Sequence, residues 1–105
     1  MNRKEYFVYL EWAADRLRIR YDIEKGKVID FVIQYESFIN NKWIAIVRYD
    51  CAHGFFHRDE LFAKGEQVKT EIDIQDLNSA AIYAEQDLRD RWNWYKEQYL
   101  KHKKK

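Results

Sequence analysis

The sequence predicts an α+β domain: an antiparallel sheet of four to five strands in a meander, with one long C-terminal helix packed on one face. Three observations lead there. Apolar and polar residues alternate without a break from Arg16 to Ile23, the period of a half-buried strand. Turn signals at Gly26, Asn40-Asn41 and Lys64-Gly65 then separate further apolar runs at hairpin spacing. From Leu77 onward the apolar period changes to three or four residues, which is that of a helix with one buried stripe.

The first fifteen residues carry two periods at once. Tyr6, Val8, Leu10 and Trp12 alternate like a strand, whereas Tyr6, Tyr9, Leu10, Ala13 and Leu17 fit a helical stripe. The β preference of Tyr, Phe and Val favours the strand. The next segment turns Leu17, Ile19, Tyr21 and Ile23 inward and Arg16, Arg18, Arg20 and Asp22 outward. Lys25-Gly26-Lys27 reads as a three-residue hairpin loop. It leads to a strand from Val28 to about Ile39 with Ile29, Phe31, Ile33 and Tyr35 inward. That register sets Arg18 opposite Gln34 and Arg16 opposite Glu36. Trp43 to Asp50 is the following strand. One face holds Trp43, Ala45, Val47 and Tyr49, and the other holds Ile44, Ile46, Arg48 and Asp50. Loops of two and three residues bury opposite faces, so the pattern leaves that choice open.

Phe55 to Phe62 and Gln67 to Ile72 read as two more strands. The helix spans roughly Asp76 to Lys101, with Leu77, Ala80, Ala81, Ala84, Leu88, Trp92, Tyr95 and Tyr99 as its stripe. Asp73, Asp76 or Asn78 is placed to cap it. Lys101, Lys103, Lys104 and Lys105 sit at its negative end. All 105 residues form one domain, with an ambiguous segment 1–15 and a basic tail 101–105.

Composition excludes several classes. Hydrophobic residues make up 47% and aromatics 17%, too many for a disordered chain. There is no proline and there are three glycines, which leaves little room for long irregular loops. Nineteen basic against 18 acidic residues give a net charge of +1, so there is no global basic field, although a local patch remains available. A single cysteine, Cys51, excludes a disulfide framework and four-thiolate metal sites and fits a reducing compartment. No signal-like start and no apolar run of about 20 residues is present, so a cytoplasmic protein without a membrane span is expected.

Candidate chemistry is concentrated in residues 48–59. Arg48, Asp50, His53, His57, Arg58 and Asp59 fall within twelve residues, at a strand end and the return into the next strand. Histidine moves protons near neutral pH, so His53 and His57 suit an acid–base pair. Asp50 and Asp59 suit the groups that orient them. Arg48 and Arg58 suit bidentate binding of phosphate. That set is what a metal-independent ribonuclease needs. A metal held by His53 and His57 with Asp50 or Asp59 requires a tight loop, since i, i+4 positions converge only in a helix. Neither a metal nor a cofactor is therefore expected. The different-class reading is a non-catalytic interaction module, with these residues as a structural polar network.

The stretch Arg48-Tyr49-Asp50-Cys51-Ala52-His53-Gly54-Phe55-Phe56-His57-Arg58-Asp59 resembles the hallmark of a small uncharacterised prokaryotic family with an RYDxAHGxxHRD core. Residues 26–36 and Ala84-Glu85-Gln86-Asp87-Leu88, with Trp92 and Tyr95, also look like that family, and the match covers about residues 16–100. More distantly, the arginine–tyrosine–aspartate pattern followed by histidine is similar to TumE-type toxins of toxin–antitoxin pairs. That similarity implies a growth-inhibiting protein that acts on RNA and is neutralised by a DNA-binding antitoxin.

Other features have plainer readings. The outward row Arg16, Arg18 and Arg20 reads as a solvated strand face with acidic partners, and otherwise as a phosphate track. The lysine tail reads as a solubilising helix end. Tyr49, Phe55, Phe56 and Trp94 are candidates for stacking on bases, and Trp94, off the stripe, for a dimer or partner surface. Cys51 reads as a small semi-buried residue rather than a nucleophile.

Overall fold

Strand pairing follows chain order. A computed structural model describes residues 2–51 and 54–103, Lys103 by its backbone only. It contains β1 (Asn2–Glu11), β2 (Asp15–Glu24), β3 (Lys27–Ile39), β4 (Lys42–Asp50), β5 (His57–Leu61), β6 (Gln67–Glu71) and α1 (Leu77–Lys103). The strands form one antiparallel sheet in the order β1-β2-β3-β4-β5-β6. There are six strands rather than four to five, because the segment with two competing periods extends as β1 along the whole of β2. Pairing with an already formed strand satisfies its backbone groups, and that outweighs the helical stripe.

The β2–β3 register is the expected one, with Arg18 opposite Gln34 and Arg16 opposite Glu36. It is reached differently. Lys25 and Gly26 form a two-residue turn with φ of 50° and 76°, the positive pair that suits hairpin twist. An irregularity at Ile29 then adds back one residue. Ile29 is consequently 41% exposed instead of inward, and Val28 packs against the core in its place.

A second irregularity answers the question about β4. Asn40 and Asn41, with φ of 54° and 64°, close a two-residue turn, and Glu36 pairs with Ala45. The next pair is Tyr35 with Val47, so Ile46 is the extra residue. Strand parity changes there. Ile44 lies on the buried side before the bulge, and Val47 and Tyr49 lie on it afterwards. Neighbouring Ile46 and Val47 are both buried. Arg48 and Asp50 are left on the opposite, open face.

The helix lies over β3 and β4. All eight residues of the expected stripe are buried or packed on the core. Ala80, Ala81 and Ala84 let the helix approach the sheet closely, and Leu88, Tyr95 and Tyr99 fill the wider end. Asp76 caps the helix: its Oδ2 accepts from the Ser79 amide at 3.0 Å and the Ser79 hydroxyl at 2.7 Å. No helix among the described residues is long and apolar enough to cross a membrane.

Two carboxylates lie between the layers, Asp15 buried and Asp87 half-buried, each with its partners. Asp15 accepts from Tyr35 Oη at 2.6 Å, Ser37 Oγ at 2.7 Å and Lys96 Nζ at 3.2 Å. Asp87 Oδ2 accepts from both Tyr49 Oη and Tyr95 Oη at 2.6 Å, while Arg91 Nε is 3.1 Å from its Oδ1. These contacts tie the helix to β2, β3 and β4 with directional bonds, which fixes its position more narrowly than apolar packing does.

Two outcomes are expected. Asp87→Ala leaves two tyrosine hydroxyls without an acceptor and should lower the unfolding free energy in urea by about 1–3 kcal/mol. Burial, reinforced by the Asp87 carboxylate, raises the Tyr95 hydroxyl to about 12 and raises Tyr49 further. The neutral hydroxyls therefore stabilise the fold fully below the unfolded tyrosine value of about 10. That contribution is lost as pH rises toward 12. The thermal midpoint should stay flat up to about pH 10 and fall above it, together with the appearance of tyrosinate absorbance.

Candidate functional site

Residues directly opposite in antiparallel strands share a face, so the register writes out the open face row by row. One row is Phe7, Arg18, Gln34, Arg48, Asp59 and Lys69. The next is Glu5, Arg20, Val32, Asp50, His57 and Glu71. A face without a covering layer therefore carries most of the charged residues that sequence reasoning singles out.

The two halves of the motif pair with each other. Arg48 lies opposite Asp59, Tyr49 opposite Arg58 and Asp50 opposite His57. Alternation then divides them between the faces. Asp50, His57, Asp59 and Arg48 share the open face. Arg58 points under the helix, where its Nη1 donates to Tyr49 Oη at 3.2 Å and its Nε is 3.8 Å from Glu60. The structure does not bring Arg58 together with Arg48, and Arg58 serves the helix-side network. His53 lies outside the described residues.

His57 is the centre of the open-face cluster and is 5% exposed. Its Nδ1 donates to the Phe55 carbonyl at 3.1 Å. A carbonyl only accepts, which places a hydrogen on Nδ1 and aims Nε2 at the carboxylates. Nε2 lies 2.8 Å from Asp50 Oδ1 and 3.5 Å from Asp59 Oδ2. Three potential metal-ligating atoms, one from each residue, lie within 4.8 Å of one another.

Beside this cluster is a cleft of about 290 Å³ lined by Glu5, Arg18, Arg20, Val32, Gln34, Arg48 and Asp50. Its arginines differ in how they are neutralised. Arg20 Nη2 is 2.8 Å from Asp30. Arg48 Nε donates to the neutral Gln34 Oε1 at 2.8 Å, and Gln34 Nε2 donates to Glu36 at 2.7 Å. Arg16 completes that chain at Glu36, 2.8 Å away, and stacks on the Phe7 and Trp43 rings. Among the described residues neither Arg18 nor Arg48 makes a salt bridge. Both are exposed and flank Gln34. Sequence reasoning assigned Arg18 to a solvated row and did not single out Gln34. The predicted Arg18–Gln34 pairing was the available signal, and it reaches Arg48 only once the buried side of β4 is known.

The remaining candidates divide between core and surface. Tyr49 and Phe56 are buried and stack at 5.5 Å, so they belong to the core. Phe55 and Trp94 are exposed. Cys51 is half-buried and its thiol donates to Asp30 Oδ1 at 3.1 Å. Burial, helped by that carboxylate, pushes the thiol up to about 11. A thiolate nucleophile needs the opposite environment.

Fold and site together define a sheet-and-helix α+β domain with a charged, uncovered sheet face. The family model described as Domain of unknown function (DUF7718) matches residues 1–105, and the chain belongs to that family. No curated protein and no solved structure matches it significantly.

The Cys51 environment has a direct consequence. A thiol raised from 9.0 to about 11 carries roughly a hundredfold less thiolate at pH 8. Alkylation by iodoacetamide in the folded protein should be slower than in the urea-unfolded chain by that order.

Proposed function

We propose that this protein acts on RNA as a small toxin-like nuclease, with the open-face cleft as its site. One observation carries the proposal: two guanidiniums without a salt bridge among the described residues, Arg18 and Arg48, flank Gln34 next to Asp50, which is backed by His57 at 2.8 Å. Paired cations beside a carboxylate–imidazole pair suit a phosphodiester, whose charge grows as the bond breaks. In this reading a phosphate sits between Arg18 and Arg48. Asp50 takes the proton of the adjacent 2′-hydroxyl. The 2′-oxygen bonds to phosphorus, and the bond from phosphorus to the 5′-oxygen breaks. His53, three residues along the chain, returns a proton to the leaving oxygen. The products are a 2′,3′-cyclic phosphate and a 5′-hydroxyl.

The arginine–tyrosine–aspartate pattern at Arg48-Tyr49-Asp50, followed by histidine, is similar to TumE-type toxins and supports the same substrate. The proposal includes a prokaryotic cytoplasmic setting and a DNA-binding antitoxin as neutralising partner. It also includes a homodimer paired along the outer edge of β1, where Tyr6, Phe7 and Tyr9 on the strand and Trp12 in the turn after it are exposed. A second reading has a specific observation in its favour. His57 and Asp59 are both buried, which suits a polar network that braces β4 against β5 in a non-catalytic interaction module.

Inducible expression distinguishes the two. The wild type should inhibit growth, and the purified protein should cleave single-stranded RNA to cyclic-phosphate ends. Arg18→Ala combined with Arg48→Ala should reduce cleavage by about a hundredfold in a protein that still folds, with a stability loss no larger than the about 1–3 kcal/mol that leaving Gln34 Oε1 without its Arg48 donor costs. A soluble wild type that neither inhibits growth nor cleaves RNA would sink the nuclease reading. His57→Ala that only unfolds the protein would favour the brace.

A further inference from the structure

The open face carries a second feature, at the end away from His57. Phe7 shares a row with Arg18, and Tyr9 lies opposite Arg16 in the next row, with Glu36 beyond it. Phe38, two residues after Glu36, keeps that side and lies opposite Trp43. The rings make one continuous run. Trp12 is 5.2 Å from Tyr9, and Tyr9 is 6.5 Å from Phe7, centre to centre. The Arg16 guanidinium then bridges Phe7 at 4.1 Å and Trp43 at 3.9 Å, and Trp43 is 5.3 Å from Phe38. Trp12 is 80% exposed, and Phe7, Tyr9 and Phe38 are exposed as well. Single exposed aromatics are ordinary, whereas a contiguous run of them on an uncovered face marks a surface that something covers.

We propose that this aromatic run is a stacking platform for the unpaired bases of single-stranded RNA, with the neighbouring Arg18 and Arg48 taking the phosphates. The charge beside the rings selects that occupant. Arg18 and Arg48 adjoin the run through the row that begins at Phe7. Glu36, the carboxylate of this end, is already held by Arg16 at 2.8 Å and by Gln34 at 2.7 Å. A copy of the same face would set these guanidiniums against one another, and an apolar partner would gain nothing from them. Flat rings joined by anions match both halves of the surface. Arg16, sandwiched between Phe7 and Trp43, shows the stacking that a base would continue. Backbone pairing of two copies along the β1 edge leaves the Phe7 and Tyr9 side chains on the face, so the platform survives it. The platform deepens the nuclease reading and rests on it for the choice of RNA, but binding alone reads it out.

The test uses the full chain and a short single strand of 2′-fluoro uridine nucleotides, which lacks the attacking 2′-hydroxyl and so is bound without being cut. Fluorescence anisotropy of the labelled strand gives the affinity, and quenching of tryptophan emission reports stacking. Trp12→Ala should weaken binding about tenfold and remove most of the quenching, and Tyr9→Ala should weaken it by the same order. Both side chains are exposed, so each variant should keep the wild-type circular dichroism spectrum. Trp12→Phe, which keeps a flat ring, should restore most of the affinity. Trp94→Ala, on the helix at the other side of the sheet, should change neither readout. Inorganic tripolyphosphate, which offers charge without bases, should leave the emission unquenched. Strand binding that depends on Trp12 and Tyr9, without cleavage of RNA, would uphold the platform and remove the nuclease reading. Cleavage of RNA with strand affinity unchanged in both alanine variants would overturn the platform and keep the nuclease reading. The platform is also overturned by absence of strand binding. Emission that shifts with protein concentration alone and ignores the strand overturns it too, and assigns the run to a second copy of the chain.

Discussion

The arrangement of this domain depends on one extra residue in β4. From Trp43 to Val47 every side chain is apolar, and a regular strand would have to send alternate ones into water. The bulge at Ile46 avoids that by letting neighbouring Ile46 and Val47 both be buried. Each such burial contributes about 1.5–3 kcal/mol relative to exposure. The consequence reaches the far end of the strand. After the parity change Tyr49 points at the helix, and Arg48 and Asp50 point to the open face. Without the bulge the polar end of β4 would turn toward Asp87 and the core, and Tyr49 would face solvent.

The motif of residues 48–59 is best understood as a paired structure rather than a string. Its two triplets run antiparallel, Arg48-Tyr49-Asp50 against His57-Arg58-Asp59. The middle pair, Tyr49 and Arg58, joins the helix-side network through Asp87 and Tyr95. The outer pairs face the other way. The density of charge that singles out this stretch therefore has two causes. One pair anchors the helix, and the other two build a cluster on the uncovered face.

This division explains what could be read from the sequence. The β2–β3 register was legible because clean alternation on β2 and a glycine turn constrain it, and the bulge at Ile29 compensates for a turn one residue shorter than expected. The helix stripe was legible because eight apolar positions at helical spacing have no competing period. The β4 face was not, because a bulge in an all-apolar run leaves no trace in an alternation pattern. β1 was ambiguous because its aromatics satisfy both periods and its strand state depends on pairing with β2. The site was legible as a list of residue types but not as a geometry. Arg48 and Arg58 have the same chemistry and lie near opposite ends of the motif, yet parity places them on opposite sides of the sheet.

The open face is also uneven in how well its charges are satisfied. At the Arg16 end the chain from Arg16 through Glu36 and Gln34 to Arg48 gives each buried group a partner, and aromatic rings cover the Arg16 guanidinium. Toward the His57 end the pattern is incomplete. Arg20 Nε and Asp59 Oδ1 are buried without hydrogen-bond partners, and Arg18 makes no salt bridge among the described residues. Each buried unpaired group costs about 1–3 kcal/mol, and the helix-side network carries one as well, at Arg58 Nε. The same reasoning separates the two carboxylates beneath the helix, Asp15 and Asp87, from Asp59. The first two have several close donors and hold the layers together, whereas Asp59 Oδ1 makes no hydrogen bond among the described residues and faces the Lys69 ammonium 3.8 Å away.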